Sequence, residues 1–500
     1  MRHPHFEARS RAIGSWFGAF FTTINSENCG VPMTESLPPA TTSRKSWPDY
    51  RAVWRWHFYA SLFCIPFVII LSISGAIYLF KPQIEAWNER QFDNLQIAGS
   101  PASAADQIRA ALKAVPDSTL NAYELPKSAN AAARVIVRQN GEAIRVYVHP
   151  QSLEVLHTFP DGERFMRWLF RLHGELLMGD RGSMVVELAA SWTVIMILTG
   201  LYLWWPRQAK GLGGILYPRL RMGSGIFWRD IHSVTGVWIS TLALFLLLSG
   251  LPWAKSWGNY FKAVRSLTGT AVAKQEWSNT SEGTNPKAKK SERADSGEHG
   301  EHRPSSSRRR GGGGTATPRD LTAVDRIAAT VSPMQLLPPV LIAPPGRGST
   351  DWTAKSMTPN RPQRLNLVVN GTTGKIVSSD GFQDRHLIDK IVSIGIAAHE
   401  GQLFGWPNQA LGLITAMGLV LLCVSGLILW WRRRDQGVLG APKVLLSPRV
   451  SIGLITLVVM IGIYLPLFGT SLVVVLLAEW IVLRRIPKVR NWLGLQPCLS

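Results

Sequence analysis

The sequence predicts a polytopic α-helical membrane protein of about six spans with an internal two-fold repeat, carrying two small exported α+β modules. Three observations predict it. Only 17% of the 500 residues are charged, well below the roughly 25% of globular proteins. Several uninterrupted apolar runs approach or exceed the roughly 20 residues that cross a bilayer core of about 30 Å. The runs also recur in register, with matching histidines, glycines and tryptophans.

Four spans are read directly from the apolar runs: 51–80, the second half of 164–205, 232–254 and the second half of 386–431. Residues 450–486 are nearly continuous apolar sequence broken at Pro466 to Gly469, which suits a two-span hairpin better than one overlong helix. Residues 1–50 read as a mobile cytoplasmic extension. Within it the run 13–24 is too short to span, Trp16, Phe17, Phe20 and Phe21 are suited to a membrane surface, and Met33 offers an alternative start.

The basic balance follows the short loops. Residues 206–231 carry five Lys/Arg against Asp230, and 432–449 carry five against Asp435. Together with the tail 487–500 and the N-terminal segment, they account for most of the formal +21. The positive-inside rule places those loops and both termini in the cytoplasm, and the long loops outside. The excess charge is therefore topological, and nucleic acid is not an expected partner. Cys29, Cys64, Cys423 and Cys498 are far apart without a CxxC, so they read as packing residues.

The exported loop 81–163 has a helical period around Ser103 to Val115. Strand-like runs follow at 121–125, 134–138, 144–149 and 153–159, with a turn at Asn140-Gly141. The loop 319–385 repeats the recipe: a helix at 321–331, then strands at 350–356, 364–369 and 375–378. Between the third span and this second module, 255–318 reads as a flexible linker; its Ser/Gly/Lys/Arg-rich part includes Gly311 to Gly314, His299 and His302.

An offset of 226 places His173 on His399, Gly179 on Gly405, Gly200 on Gly426 and Trp204-Trp205 on Trp430-Trp431. An offset of 175 places His57 on His232 and Ser74-Gly75 on Ser249-Gly250. The histidines thus fall on two levels, His57 with His232 at the cytoplasmic edge and His173 with His399 at the exported edge. Paired imidazoles on apolar helices suit the two axial positions of a b-type haem, so two haems are expected. Neutral imidazole gives its lone pair to iron, while its other N–H needs an acceptor. Interfacial histidines that donate to carbonyls are the alternative. Zinc fits worse, since no Asp, Glu or Cys completes four ligands, and haem c lacks its CxxCH. His149, His157 and His386 are expected to be structural. The span-end tryptophans read as interfacial anchors.

The runs Trp54-Arg55-Trp56-His57, Leu172-His173-Gly174 with Thr199-Gly200-Leu201-Tyr202-Leu203-Trp204-Trp205, and His399-Glu400-Gly401 with Ser425-Gly426-Leu427-Ile428-Leu429-Trp430-Trp431 resemble the PepSY-associated transmembrane family, also called iron-regulated membrane proteins. The strands at 146–150 and 367–376 look like PepSY-type hairpins, although His149-Pro150-Gln151-Ser152 departs from the expected Asp/Asn-Pro-x-Thr-Gly. The resemblance implies a bacterial inner-membrane protein of a group that includes ferric-siderophore reductases. The haem-iron ligands it implies are His57, His173, His232 and His399.

The expected function is transmembrane electron transfer through two haems b, from a flavoprotein or quinol donor to a periplasmic ferric chelate such as a siderophore. Gly211-Leu212-Gly213-Gly214 follows no predicted strand and is a weak dinucleotide signal, which leaves the donor outside this chain. Two other readings stand beside it: a non-redox module protein binding a peptide, protease or cell-wall partner, and an iron or siderophore transporter. The sequence assigns no catalytic residue; the four histidines are expected as cofactor ligands.

Overall fold

The computed structural model describes residues 49–206, 211–270, 320–346, 349–442 and 452–495. The extension through residue 48, the Gly-rich linker with His299 and His302, Cys29 and Cys498 lie outside the described residues. In chain order the helices are α1 (Tyr50–Tyr78), α2 (Lys81–Asp93), α3 (Ala104–Ala114), α4 (Phe165–Glu175), α5 (Asp180–Trp204), α6 (Ser224–Gly250), α7 (Lys255–Leu267), α8 (Thr322–Val331), α9 (Leu387–His399), α10 (Trp406–Arg433), α11 (Ile452–Tyr464), α12 (Pro466–Ala478) and α13 (Pro487–Trp492). The strands are β1 (Thr119–Glu124), β2 (Ala133–Gln139), β3 (Glu142–Val148), β4 (Val155–Pro160), β5 (Val340–Ala343), β6 (Asp351–Ser356), β7 (Asn366–Asn370) and β8 (Ile376–Asp380). They form two compact units, a helical one from Met1–Ala76, His173–Val264 and Leu411–Ser500, and a sheet-bearing one from Ile77–Leu172 and Arg265–Ala410.

Among the described residues, five helices are long and apolar enough to cross a membrane: α1, α5, α6 with its terminal turn, α10, and α12 continued to Leu483. α11 is apolar but has 13 residues, about 20 Å of helix against a core of about 30 Å. The hairpin breaks at Leu465, one residue before the expected Pro466, because Pro466 has no N–H to donate back and sits in the first turn of α12. α1 tolerates Pro66 in its interior, as helices in lipid do when neighbours satisfy the freed carbonyl. Cys64 and Cys423 are buried free thiols.

Part of the expected linker is ordered. Residues 255–267 form α7, whose first N–H groups have dedicated acceptors. Glu187 Oε2 accepts from the amides of Ser256 and Trp257 at 2.9 and 3.0 Å, and Ser183 Oγ accepts from that of Lys255 at 3.1 Å. Trp257 then packs with Leu251, Leu465 and Phe468. Linker composition begins only beyond this helix, so the reading of 255–318 as wholly flexible is corrected at its start.

In the sheet unit, all eight strands pair antiparallel in the order β4-β3-β2-β1-β5-β6-β7-β8. The two modules of the sequence reading are therefore two halves of one sheet. The joint is β1 with β5, Tyr123 opposite Ile342 and Glu124 opposite Leu341. Each half is a helix followed by a four-strand meander, and the first strands pair antiparallel, so the halves are related by an approximate two-fold axis. α3 and α8 share one apolar core with the sheet, built on Ile108, Leu120, Val135, Ile327, Ile342 and Leu367. One core suits the physics, because a module of about 60 residues alone buries too small a fraction of its surface.

The hairpin turns obey local chemistry. Asn140 and Gly141 have φ of 51° and 89°, the left-handed pair a two-residue turn needs, and they close Gln139 onto Glu142. After β7, Asn370 Oδ1 accepts from the amides of Thr372 and Thr373 at 3.1 and 2.9 Å. After β3, His149 Nδ1 does the same for Gln151 and Ser152 at 3.3 and 3.1 Å. The departure from Asp/Asn at position 149 is thus compensated by the imidazole nitrogen. His386 likewise caps α9 by accepting from the Ile388 amide at 3.2 Å.

Candidate functional site: histidines seated on Ser/Thr-Gly steps

Three of the four predicted histidines lie in the helical unit, and each ring is seated in the same way on a neighbouring helix. His57, two turns into α1, places Nδ1 2.9 Å from Thr199 Oγ1 of α5. The Thr199 hydroxyl donates its own proton back along α5, to Ile195 O at 2.8 Å, a habit of Ser and Thr in apolar helices. With that proton spent, the hydroxyl oxygen can only accept from the ring. The proton of His57 therefore sits on Nδ1 and the lone pair on Nε2.

His232, in the third turn of α6, repeats the arrangement on α10. Nδ1 is 3.0 Å from Ser425 Oγ and 3.2 Å from the Leu422 carbonyl, while Ser425 Oγ donates to Leu422 O at 3.1 Å. A carbonyl has no proton to give, so Nδ1–H is again the donor and Nε2 keeps its lone pair. The Met196 carbonyl interacts with His57 from a position 226 residues before Leu422, the offset read in the sequence. His57 and His232 lie within electrostatic reach of each other. Among the described residues, neither has a hydrogen bond to Nε2.

His173, near the end of α4, completes the set on α1. Nδ1 is 3.0 Å from Ser74 Oγ, and that hydroxyl donates to Ile70 O at 2.7 Å. The residue after each hydroxyl is glycine, and the imidazole edge lies against it. A Cβ added at Gly75 would stand 3.0 Å from His173 Cε1, one at Gly200 3.2 Å from His57 Cε1, and one at Gly426 3.4 Å from His232 Cε1. Glycine there is a close-approach requirement, since a methyl at 3.0 to 3.2 Å would push the ring off its hydroxyl.

His399 belongs to the sheet unit, as the last residue of α9. The chain turns sharply behind it: Gly401 has φ +73°, Asn408 Nδ2 donates to Ala398 O at 2.8 Å, and Asn408 Oδ1 accepts from the Leu403 amide at 3.1 Å. Glu400 faces Arg361 at 3.5 Å. The described residues hold no group of three or more His, Cys, Asp or Glu arranged for a bare metal ion.

The hydroxyls Thr199, Ser74 and Ser425 were not named as site residues by sequence reasoning. The signal was available, because each directly precedes a glycine fixed by the repeat offsets, and a ligating imidazole needs an acceptor for its second nitrogen. Trp204 and Trp430 also differ from expectation. They donate inward, to Ile215 O at 3.1 Å and Leu439 O at 2.8 Å, pinning the loops that follow their helices, whereas Trp205 and Trp431 are exposed.

The donor set fits a b-type haem better than a closed ion site. It offers neutral imidazoles of fixed tautomer, an apolar surround and small residues beneath the rings. The family described as the PepSY-associated TM region matches residues 54–433, more than half of the chain, and the protein belongs to that family. No curated protein matches it.

Proposed function

We propose that this protein is an inner-membrane di-haem b electron carrier that reduces a ferric chelate, a siderophore above all, on the exported side of the membrane. The observation that carries the reading is the common seat of the rings: Nδ1 of His57, His232 and His173 each lies within hydrogen-bond reach of a hydroxyl that also reaches a helix carbonyl, the arrangement in which Nδ1–H donates. That commitment has a use when Nε2 must present a lone pair. His57 and His232 have no hydrogen bond to Nε2 among the described residues, and a histidine serving only as an interfacial donor gains nothing from such an open nitrogen on an apolar helix.

In this reading His57 and His232 hold one haem, and the sequence repeat assigns the second to His173 and His399. Bound there, haem supplies one-electron redox chemistry. The chain's own contribution is positional. The hydroxyls orient the rings and strengthen their basicity, the glycines let the rings approach the helix backbones, and the apolar spans exclude water. A reduced ferric chelate releases its metal because Fe(II) is held more weakly than Fe(III) by hard oxygen donors. The electrons come from a flavoprotein or a quinol, and the basic loops put that side in the cytoplasm.

The test is the absorption spectrum of the purified protein, as isolated and after dithionite, beside His57→Ala, His232→Ala, His173→Ala and His399→Ala. Two low-spin haems in the parent, with one lost from either member of a pair, are expected. A folded, colourless parent from haem-replete cells would sink the reading and turn attention to a non-redox role for the sheet unit.

A further inference from the structure

The sheet unit carries a recess of about 220 Å³ between α2, the edge strand β4 and the start of α4. Its floor is aromatic. Tyr147 and His157 are opposite each other in register and so share a sheet face, and Phe92 stacks on Tyr147 at 4.3 Å between ring centroids. Phe159 and Phe165 line the same space, as do Glu85 and Arg164.

Two independent features show what the recess is short of. The first is charge. Its wall belongs to a connected ion network in which Glu85, Glu89, Asp93, Glu124 and Asp161 face Arg134, Arg145, Arg164 and Lys127, five carboxylates against four cations. Glu85 is the lightly held member, paired with Arg164 alone at 3.2 Å and with its side chain 26% exposed. The second is Tyr147, only 5% exposed, whose hydroxyl makes no hydrogen bond among the described residues although the residue lines the recess. Burial, and then the neighbouring Glu89 carboxylate, push this phenol up to about 12 against the opposing guanidiniums of Arg145, Arg164 and Arg134, so it stays neutral and keeps a lone pair to offer.

We propose that this recess binds an organic cation, an aliphatic ammonium or guanidinium group. Ring faces attract cations through their quadrupole, as Arg134 over the Tyr147 ring at 5.5 Å already shows; the paired residues carry one more negative than positive charge, and the unspent groups of Glu85 and Tyr147 accept hydrogen bonds. An anion would meet Glu85 and Glu89, and a neutral ring would leave the charge imbalance untouched. The volume is several times the roughly 30 Å³ share of one water, enough for a short alkyl stem to follow the charged head over Phe92 and Phe159. The inference rests on the sheet unit alone and neither requires nor tests the redox reading.

The experiment is calorimetric titration of the full-length protein in detergent with n-butylammonium chloride, n-pentanol and sodium butyrate. Butylammonium should bind, and the neutral and anionic probes should not. Glu85→Gln should weaken butylammonium by about tenfold or more, and Tyr147→Phe should weaken it less because the Glu85 carboxylate remains. Glu85 is partly exposed, so its variant is expected to fold, and far-UV dichroism checks this. Equal binding of all three probes, no heat with butylammonium, or indifference to both variants would overturn the proposal.

Discussion

The ion network of the sheet unit and the histidine seats of the helical unit handle buried polarity in opposite ways. In the sheet unit the buried charges around Arg134 are spent on other charges. Arg134, 1% exposed, meets Glu89, Asp93 and Glu124, and Arg145 meets Glu124 and Asp161. Although burial works against the charge of Arg134, the surrounding carboxylates, Glu124 foremost, raise its pKa above the ordinary arginine value. In the helical unit Asp230 is likewise paired with Arg219 and Arg229, but the hydroxyls beside the histidines bond to helix backbone, as Ser74 and Thr199 do, and one nitrogen of His57 and of His232 has no such partner. Unspent valence is what separates a site from a strut. A buried ion pair whose charges engage each other fixes a fold, whereas an oriented lone pair in an apolar surround is available to a ligand.

The contrast can be broken first at Arg134. Arg134→Ala leaves three carboxylates without their shared cation and should destabilise the sheet unit by about 3–5 kcal/mol, read by denaturant unfolding of the full-length protein. A loss under about 1 kcal/mol, the size of a surface pair, would mean that the network is not structural.

On the other side of the comparison, Thr199→Val keeps the shape and removes the hydroxyl. Haem affinity should fall about 10- to 100-fold, Thr199→Ser should restore it, and the unfolding midpoint should barely move. If haem retention in the Val variant equals the parent's, the Nδ1 contact is idle.

Alkali tests the sheet unit through its buried phenols. Burial raises the phenols of Tyr123 and Tyr147 above their usual value of 10. The stability they contribute is present in full below the unfolded value and is lost as pH rises through the folded one. For Tyr147, pushed up to about 12, this amounts to about 2 kcal/mol by pH 12. Unfolding followed from pH 9 to 12 should therefore show a loss that is shallower in Tyr147→Phe. An unchanged slope would place the titration elsewhere.

The smallest effect compares the two halves of the sheet. His149→Ala removes the acceptor for two turn amides and should cost about 1 kcal/mol, while His149→Asn should be close to neutral, since Asn370 does that work in the other half. Equal losses from both substitutions would show that the ring is needed for packing rather than as an acceptor.

Much of this was legible in the chain. Long apolar runs announce helices that cross a membrane, because backbone in lipid must satisfy itself, and Asn140-Gly141 announces its hairpin because few residues tolerate two successive left-handed positions. β5 was not legible. Four residues between Pro338-Pro339 and Pro344-Pro345 carry too little alternation to read as a strand, and missing it turned one sheet into two modules.

The sequence by itself determined the membrane class, the family, seven of the eight strands and the positions of the four histidines, since each depends on local pattern or on spacing that repeats. Tertiary structure alone decided which hydroxyl seats His57, His173 and His232, which ring nitrogen keeps its lone pair, and that both meanders share one core. Those outcomes depend on partners 99 to 193 residues away for the histidine contacts and on β1 meeting β5 at the joint. A hydrogen bond's direction is set by what its acceptor has already spent, and only the assembled neighbours reveal that.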